Sequence, residues 1–304
     1  QMGFIARTNP LFALPARFAH WLHRNSKKGS RRNIEVHYDL GNEFYQPWLD
    51  QSLTYSSAMF APSKGTAESL EDAQARKIDA LLDRLEMRDG QSLLEIGCGW
   101  GSLADRALTQ NAIKYHGITL SKEQLSYAKA RLADYKQAQV SLTDYRDVDG
   151  QYDAIASVEM VEAVGQSYWP IYLDTLTRLL KPGGRAALQY ISISDDAFER
   201  YAKGTDFIQD YIFPGGLLLS ESRFKALAEE RGFSWTRQVD FGIDYAETLR
   251  QWRGRFDKAV TDGALPKKFD EKFIGLWRYY LMYCEGGFRG GGINVSQVTL
   301  IKQH

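Results

Sequence analysis

Hydrophobic positions recur along this 304-residue chain in two rhythms. Over residues 67–86 (AESLEDAQARKIDALLDRLE) the side chains Leu70, Ala73, Ile78, Leu81, Leu82 and Leu85 follow helical spacing. A short apolar run, SLLEIG at 92–97, reads as a strand that enters glycines directly. Then come a helix (SLADRALTQN), a second strand (YHGITL, 115–120) and the helix SKEQLSYAKARLADYK, where Ser121 and Gln124 stand at capping-box spacing. QVSLTDY and YDAIASV read as strands three and four, SYWPIYLDTLTRLLKPGGR as a helix closed by Pro-Gly-Gly, and AALQYISI (186–193) as strand five. Strands alternating with helices predict βαβ units and a parallel sheet.

Two stretches break the alternation. HYDLGNEFYQPWLDQSLTYSSAMF (37–60) is aromatic and turn-rich and reads as a lid, and 195–222 is the other, with YIFPGGLLLS as an irregular aromatic loop. A helix (222–231), the strand FSWTRQVDF, a helical insertion (245–285) and a last strand, INVSQVTLIK (293–302), follow. No repeat, low-complexity tract or flexible linker divides the chain. The expected organisation is a basic arm at 1–35 and a single domain at 36–304. Within that domain we expect a cap at 36–86, a cofactor-binding core at 87–194, and substrate-covering insertions at 195–222 and 243–287.

Charge changes the picture only at the N-terminus. Lys/Arg and Asp/Glu balance at 38 each, yet residues 1–32 carry Arg7, Arg17, Arg24, Lys27, Lys28, Arg31 and Arg32 with no acid. Interleaved with Phe12, Phe18, Trp21 and Leu22, they read either as a basic amphipathic helix on an anionic membrane surface or as a helix packed on the domain. The apolar stretches there are short and lack a small-residue cleavage pattern, which argues against a signal peptide. No run is long enough to span a bilayer. Cys98 and Cys284 make no disulfide framework, so a reduced cytoplasm is expected, with peripheral contact at the inner membrane face. The histidines are scattered, and no metal site is expected.

Candidate chemistry lies in two places. In LLEIGCGWGSLA (93–104), Glu95 precedes Gly97, Gly99 and Gly101 between a strand and a helix, where glycine lets the backbone approach a ligand. The dinucleotide spacing is not met, because the third glycine comes one residue early and strand two ends in Thr119-Leu120-Ser121 without an acid. The second place is SVEMVEAVG (157–165), where Glu159 and Glu162 end an apolar run. They read either as surface charges at a helix start or as chemistry.

The glycine turn and the order of elements resemble the S-adenosylmethionine-dependent methyltransferases. HYDLGNEFY, LTYSSAMF, LEIGCGWG, GITLSKEQ, SVEMVEAVG, LLKPGG, DFIQDYIFPGG, DYAETLRQW and YYLMYCEGGFRGGGINVSQV together resemble one branch, the cyclopropane-fatty-acyl-phospholipid synthases and mycolic acid methyltransferases. The resemblance runs from about residue 36 to the end. It implies an α/β fold, a Rossmann-like seven-stranded sheet with helical insertions and an N-terminal cap. It also implies cofactor contacts from Tyr38, Tyr55, Ser56, Glu95, Gly97, Gly99, Thr119, Leu120, Ser121 and Gln124, with Asp144 and Tyr145 beside the adenine.

The implied reaction methylates an isolated cis double bond of a phospholipid acyl chain. Methyl transfer leaves a carbocation, which aromatic faces stabilise, and a base then removes a proton. Loss from the new methyl closes a cyclopropane; loss from a chain carbon leaves a methyl-branched alkene. The family's proton acceptor is bicarbonate, held by a glutamate, a histidine, a tyrosine and the backbone near a cysteine. Glu162 and Tyr245 match the glutamate and tyrosine, whereas Gln189 replaces the histidine and Ser57 the cysteine. Glu159 stands where the family usually has glycine; facing the pocket, it would repel an anion or itself act as base. Ser57 and Gln189 favour a branched product, whereas the frequency of ring formers in the family favours cyclopropane, so both products stay open. A soluble or carrier-bound substrate, or a non-catalytic cofactor-binding homologue, stays open as an alternative, as does a homodimer.

Overall fold

The computed structural model describes Gly29 and residues 40–61, 68–204 and 206–303. The basic arm, Gly29 excepted, and Tyr38 therefore lie outside the described residues.

Five strands form the parallel part of the sheet: β1 (Ser92–Ile96), β2 (Lys114–Thr119), β3 (Ala138–Leu142), β4 (Tyr152–Val158) and β5 (Leu180–Ile193). With β6 (Leu219–Ser220), β7 (Phe233–Asp240) and β8 (Ile293–Lys302) they make one sheet of order β3-β2-β1-β4-β5-β8-β7, with β6 added beside β5. β8 runs antiparallel between β5 and β7. Seven strands lie on the continuous path, as expected; the two-residue β6 is the eighth. Strand order reverses between β1 and β4, and a crevice opens at such a point beyond the carboxyl ends of the strands.

Helices cover both faces and build a roof. α1 (Asn42–Tyr45) belongs to the cap, and α2 (Leu70–Leu85) starts at Ser69, whose side chain accepts the Asp72 N–H. α3 (Ser102–Gln110), α4 (Lys122–Arg131) and α5 (Trp169–Leu179) are the crossovers. Ser121 caps α4 by accepting the Gln124 N–H, but the Gln124 side chain accepts from Thr119 instead of returning to Ser121, so half of the expected capping box forms.

Residues 195–222 hold α6 (Asp195–Lys203), α7 (Phe207–Tyr211), β6 and the start of α8 (Glu221–Glu229), and within them the YIFPGGLLLS stretch runs irregularly over 212–218. Short α7 is made possible by a full capping box between Asp206 and Gln209. Strand five needs a correction: β5 begins at Leu180 rather than 186. Lys181–Gly184 bulge out opposite Asp153, so the Pro-Gly-Gly turn belongs to the strand and not to the helix end. The 245–285 insertion is a helical pair, α9 (Gly242–Thr261) and α10 (Glu271–Arg289).

Apolar burial settles these pieces together. One core holds Leu94, Ile155, Leu188 and Val298 with the inner faces of α5 and α8. A second holds Leu93, Ala156 and Ala187 with α2 and α3. A third is aromatic and joins the cap to α9 and α10 through Phe44, Tyr45, Trp48, Trp252, Phe256 and Trp277. Edge-to-face packing such as Phe44–Trp277 at 4.7 Å fixes that roof over the crevice.

Candidate active site

β1 ends in the glycine turn. Gly97 and Gly99 have φ of 83° and 53°, a left-handed region that a side chain strains to enter. The N–H groups of Gly97 and Cys98 donate to Ile118 O, both at 3.0 Å, which bends the turn over the end of β2. No atom lies within 4 Å of where a Gly99 Cβ would stand, so the backbone there faces open space. That space suits a bound nucleoside. Glu95 sits beneath the turn, buried, and accepts the Tyr115 hydroxyl at 2.5 Å; burial lifts its carboxyl to about 7. At the end of β2, Thr119 donates to Gln124 Oε1 at 2.9 Å and accepts the Ser121 N–H at 3.1 Å. Leu120 is half-buried between them. Beyond β3, both Asp144 oxygens are held by Arg146, one of them at 2.6 Å, and Tyr145 packs in the core against Tyr172. Asp144 and Tyr145 thus reach the expected edge of the sheet, with the carboxylate already paired.

β4 ends in the two glutamates. Glu159 has φ 47°, left-handed for a residue that pays for its Cβ there. Its N–H donates to Gln189 O at 2.8 Å, and the carboxylate folds back under the cap. Glu159 Oε1 accepts the Ser57 N–H at 2.9 Å and the Gln189 amide at 2.8 Å, while Oε2 accepts the Tyr245 hydroxyl at 2.7 Å. The next residue, Met160, lies against the glycine turn, its Cγ 3.2 Å from where a Gly97 Cβ would stand. Glu162 opens a 3-10 turn (Val161–Ala163); its Oε1 accepts the Ile191 N–H, and its buried Oε2 has no partner.

The reading of these acids as solvated surface charges is corrected. Both keep a partly open flank, but they lie deep enough that burial dominates and raises both carboxyls. Glu162 rises to about 8, pushed also by the charge of Glu159. Glu159 is raised too, against three hydrogen bonds and Lys77. At neutral pH Glu162 therefore keeps its proton.

Sequence reasoning missed Lys77. It is 1% exposed, donates to Ser56 Oγ at 2.6 Å and is lowered to about 8 by burial, with Glu159, Asp50 and Glu95 opposing that fall. The signal was available: position 77 lies four residues from Ala73 and from Leu81, on the apolar face of α2. Also missed were Gln297 and Arg84. Gln297 donates to Gln189 Oε1 at 3.1 Å and accepts Arg84 Nε at 3.0 Å, which turns the Gln189 NH2 toward Glu159.

The cap residues divide. Tyr55 faces the roof, its hydroxyl 3.1 Å from that of Tyr280 and its ring 5.3 Å from Trp252. Tyr245 stacks on Phe288 at 4.5 Å. The Ser57 hydroxyl turns away to Ala58 O at 2.9 Å, so only its N–H faces the glutamate.

Residues 25–298 match the family described as mycolic acid cyclopropane synthetase. The tuberculostearic acid methyltransferase UfaA1 of Mycobacterium tuberculosis is 43% identical over 288 residues, which cover 92% of this chain and 67% of that protein. The cyclopropane-fatty-acyl-phospholipid synthase of Escherichia coli is 35% identical over 279 residues, covering 90% and 69%. Among solved structures, mycolic acid cyclopropane synthase CmaA1 complexed with SAH and CTAB superposes with a TM-score of 0.82 at 31% identity, over 90% of this chain and 98% of that one. The chain therefore belongs to the mycolic acid cyclopropane synthetase family, S-adenosylmethionine-dependent methyltransferases that act on lipid acyl chains.

Proposed function

We propose that this enzyme methylates the cis double bond of unsaturated acyl chains in membrane phospholipid and leaves a methyl-branched chain rather than a ring. The observation that carries the reading is the meeting of three features: the glycine turn after β1, a buried carboxylate pair after β4, and an aromatic roof above both. An alkene is a weak nucleophile, so it needs its carbon held against the methyl in a dry space. Bound S-adenosylmethionine supplies an electrophilic methyl. In this reading Gly97 and Gly99 admit it, Thr119, Leu120, Ser121 and Gln124 hold its ribose, Asp144 and Tyr145 flank its adenine, and Tyr38, Tyr55 and Ser56 close over it. Glu95 supports the turn from below through Tyr115. Tyr55, Tyr245, Trp252 and Tyr280 present ring faces to the cation that forms on the chain.

The substrate assignment has support of a different kind. Tyr211, Tyr279, Met282 and Tyr283 are exposed, and Phe207 joins three of them through ring contacts. Such an aromatic patch suits the headgroup layer of a bilayer. The basic arm at 1–35 would add attraction to anionic lipid.

The test is product analysis. Purified protein, S-adenosylmethionine and vesicles of cis-monounsaturated phospholipid are incubated, and the released acyl chains are weighed by mass spectrometry before and after mild hydrogenation. A methylated chain that takes up hydrogen is the expected result. A methylated chain that resists hydrogenation would mean ring closure. Methylation only of a soluble or carrier-bound acyl chain would overturn the phospholipid assignment.

A further inference from the structure

The groups that the resemblance assigns to a bound bicarbonate are already engaged by the protein. Ser57 N–H, the Gln189 amide and the Tyr245 hydroxyl, three of the four, all donate to the Glu159 carboxylate at 2.7–2.9 Å. The fourth, Glu162, would face any added anion with a further carboxyl. A second anion in this cradle would have to displace the Glu159 carboxylate from the three donors it already holds. Bicarbonate does not fit the residues present.

We propose that the carboxylate of Glu159 is the enzyme's own proton acceptor, built into the place of an external bicarbonate, so that turnover does not require that ion. The proposal rests on the acyl-methylation reading above. Four observations carry it. Glu159 follows β4 at the reversal of strand order, and its neighbour Met160 touches the glycine turn, so the acid sits beside the donor site. Its left-handed backbone is the conformation a glycine would take freely; strain of this kind is retained where the surroundings enforce it. Gln189, in the place the resemblance gives a histidine, donates its amide to the Glu159 carboxylate. Its oxygen is held by Gln297, so its NH2 must point at Glu159. Lys77, itself buried, supplies the compensating positive charge.

The step balances within the active site. The alkene π pair forms the new carbon–carbon bond while the carbon–sulfur pair stays with the departing thioether. The chain carries the positive charge. Oε1 already accepts two hydrogen bonds and Oε2 one, so Oε2 is the oxygen with room to accept the proton. The C–H pair released then becomes the new bond of the product, and the carboxyl gives its proton to water once the product has left. The groups facing Glu159 are Glu162 on its own loop, Lys77 on α2 and Tyr245 on α9. Of these only Lys77 is cationic, and none is a competing free base at neutral pH.

The experiment compares wild type with E159G and E159Q in carbon-dioxide-free buffer, with and without added bicarbonate. Two readings are made: turnover, and line broadening of 13C-labelled bicarbonate by NMR, which needs no substrate. Wild type is expected to turn over at the same rate with or without the ion and to leave its line unbroadened. E159G is expected to broaden the line, to lose at least about a hundredfold in rate without bicarbonate, and to recover at least about tenfold with it. E159Q keeps the shape and the hydrogen bonds but not the basicity. It should bind SAH within about threefold of wild type and lose turnover at least about a hundredfold. Bicarbonate stimulation of wild type, broadening of the line by wild type, or an E159Q that keeps a third of the rate would each overturn the proposal. Failure of all three proteins on vesicles with the NMR result as expected would instead count against the phospholipid reading alone.

Discussion

The left-handed backbone of Glu159 is held by what its carboxylate binds. Holding a non-glycine residue in that region costs about 1–2 kcal/mol. Three hydrogen bonds to a charged acceptor contribute roughly 1.5–3 kcal/mol each; they hold the residue in that conformation while offsetting only part of the burial that raises its carboxyl. Glu162 has no such compensation, with one bonded oxygen and one orphan. Its carboxyl titrates at about 8 in the folded protein against 4.5 ordinarily, so the folded state keeps a proton that the unfolded state has released. Stability should therefore fall as pH rises from about 4.5 through about 8, by an amount on the order of 5 kcal/mol before relaxation of the site. E162Q, fixed in the neutral form, should lack this decline. Denaturant melts of both proteins at pH 5, 6.5 and 8 would show the variant gaining relative stability at each step. Parallel pH dependence in the two would mean that Glu162 is ionised in the native protein. Lys77 acts in a separate window: its folded value, near 8, lies below the ordinary 10.5, so its burial cost is present below pH 8 and relieved as pH rises toward 10.5.

At the scale of elements, the glycine turn separates packing from binding. An alanine Cβ at 97 would press on Met160 Cγ at 3.2 Å, whereas one at 99 would meet nothing within 4 Å. Both positions have positive φ, so each substitution should cost about 1–2 kcal/mol in stability. G97A should lose more, because Met160 must shift and drag Glu159 with it. G99A should lose SAH affinity by at least about tenfold while melting close to the cost of its backbone alone. Calorimetric titration with SAH beside thermal melts would tell the two apart; unchanged SAH binding in G99A would place the nucleoside elsewhere. This turn, with the parallel strands around it, was legible in the chain because its signals are local: apolar runs bounded by glycine, and caps at fixed spacing. The partners of Glu159 were not. They stand 102, 30 and 86 residues away, at Ser57, Gln189 and Tyr245, and no local pattern brings them together. The resemblance had named those three donors for an external anion, so what stayed hidden was only which carboxylate they would hold. The helices α6 and α7 within 195–222 were not legible for a related reason: each is under ten residues, and α7 takes its stability from one capping box and from packing against α10, not from periodicity.

At the scale of the whole molecule, α10 connects the site to the surface. One face turns inward through Trp277, Tyr280 and Leu281 into the aromatic roof, and the other presents Tyr279, Met282 and Tyr283 beside Tyr211. Among the described residues no helix is long and apolar enough to cross a membrane, so on the phospholipid reading the enzyme must draw a chain from the bilayer while resting on it. Two forces would hold it there, and they differ in salt dependence. Attraction of the basic arm at 1–32 to anionic headgroups is screened within about 8 Å at physiological ionic strength, whereas insertion of tyrosine rings is nearly insensitive to salt. Replacing Tyr211, Tyr279 and Tyr283 by serine should lower vesicle binding at least about tenfold at both low and high salt. Deleting residues 1–32 should lower it chiefly at low salt and chiefly on anionic vesicles. Neither change touches the glycine turn, so SAH affinity should hold within about twofold in each. Sedimentation of the three proteins with neutral and anionic vesicles across a salt series would separate the terms. If the serine variant binds as wild type does at every salt concentration, the exposed aromatic face is not what meets the membrane, and the route from bilayer to active site must be sought on another side of the roof.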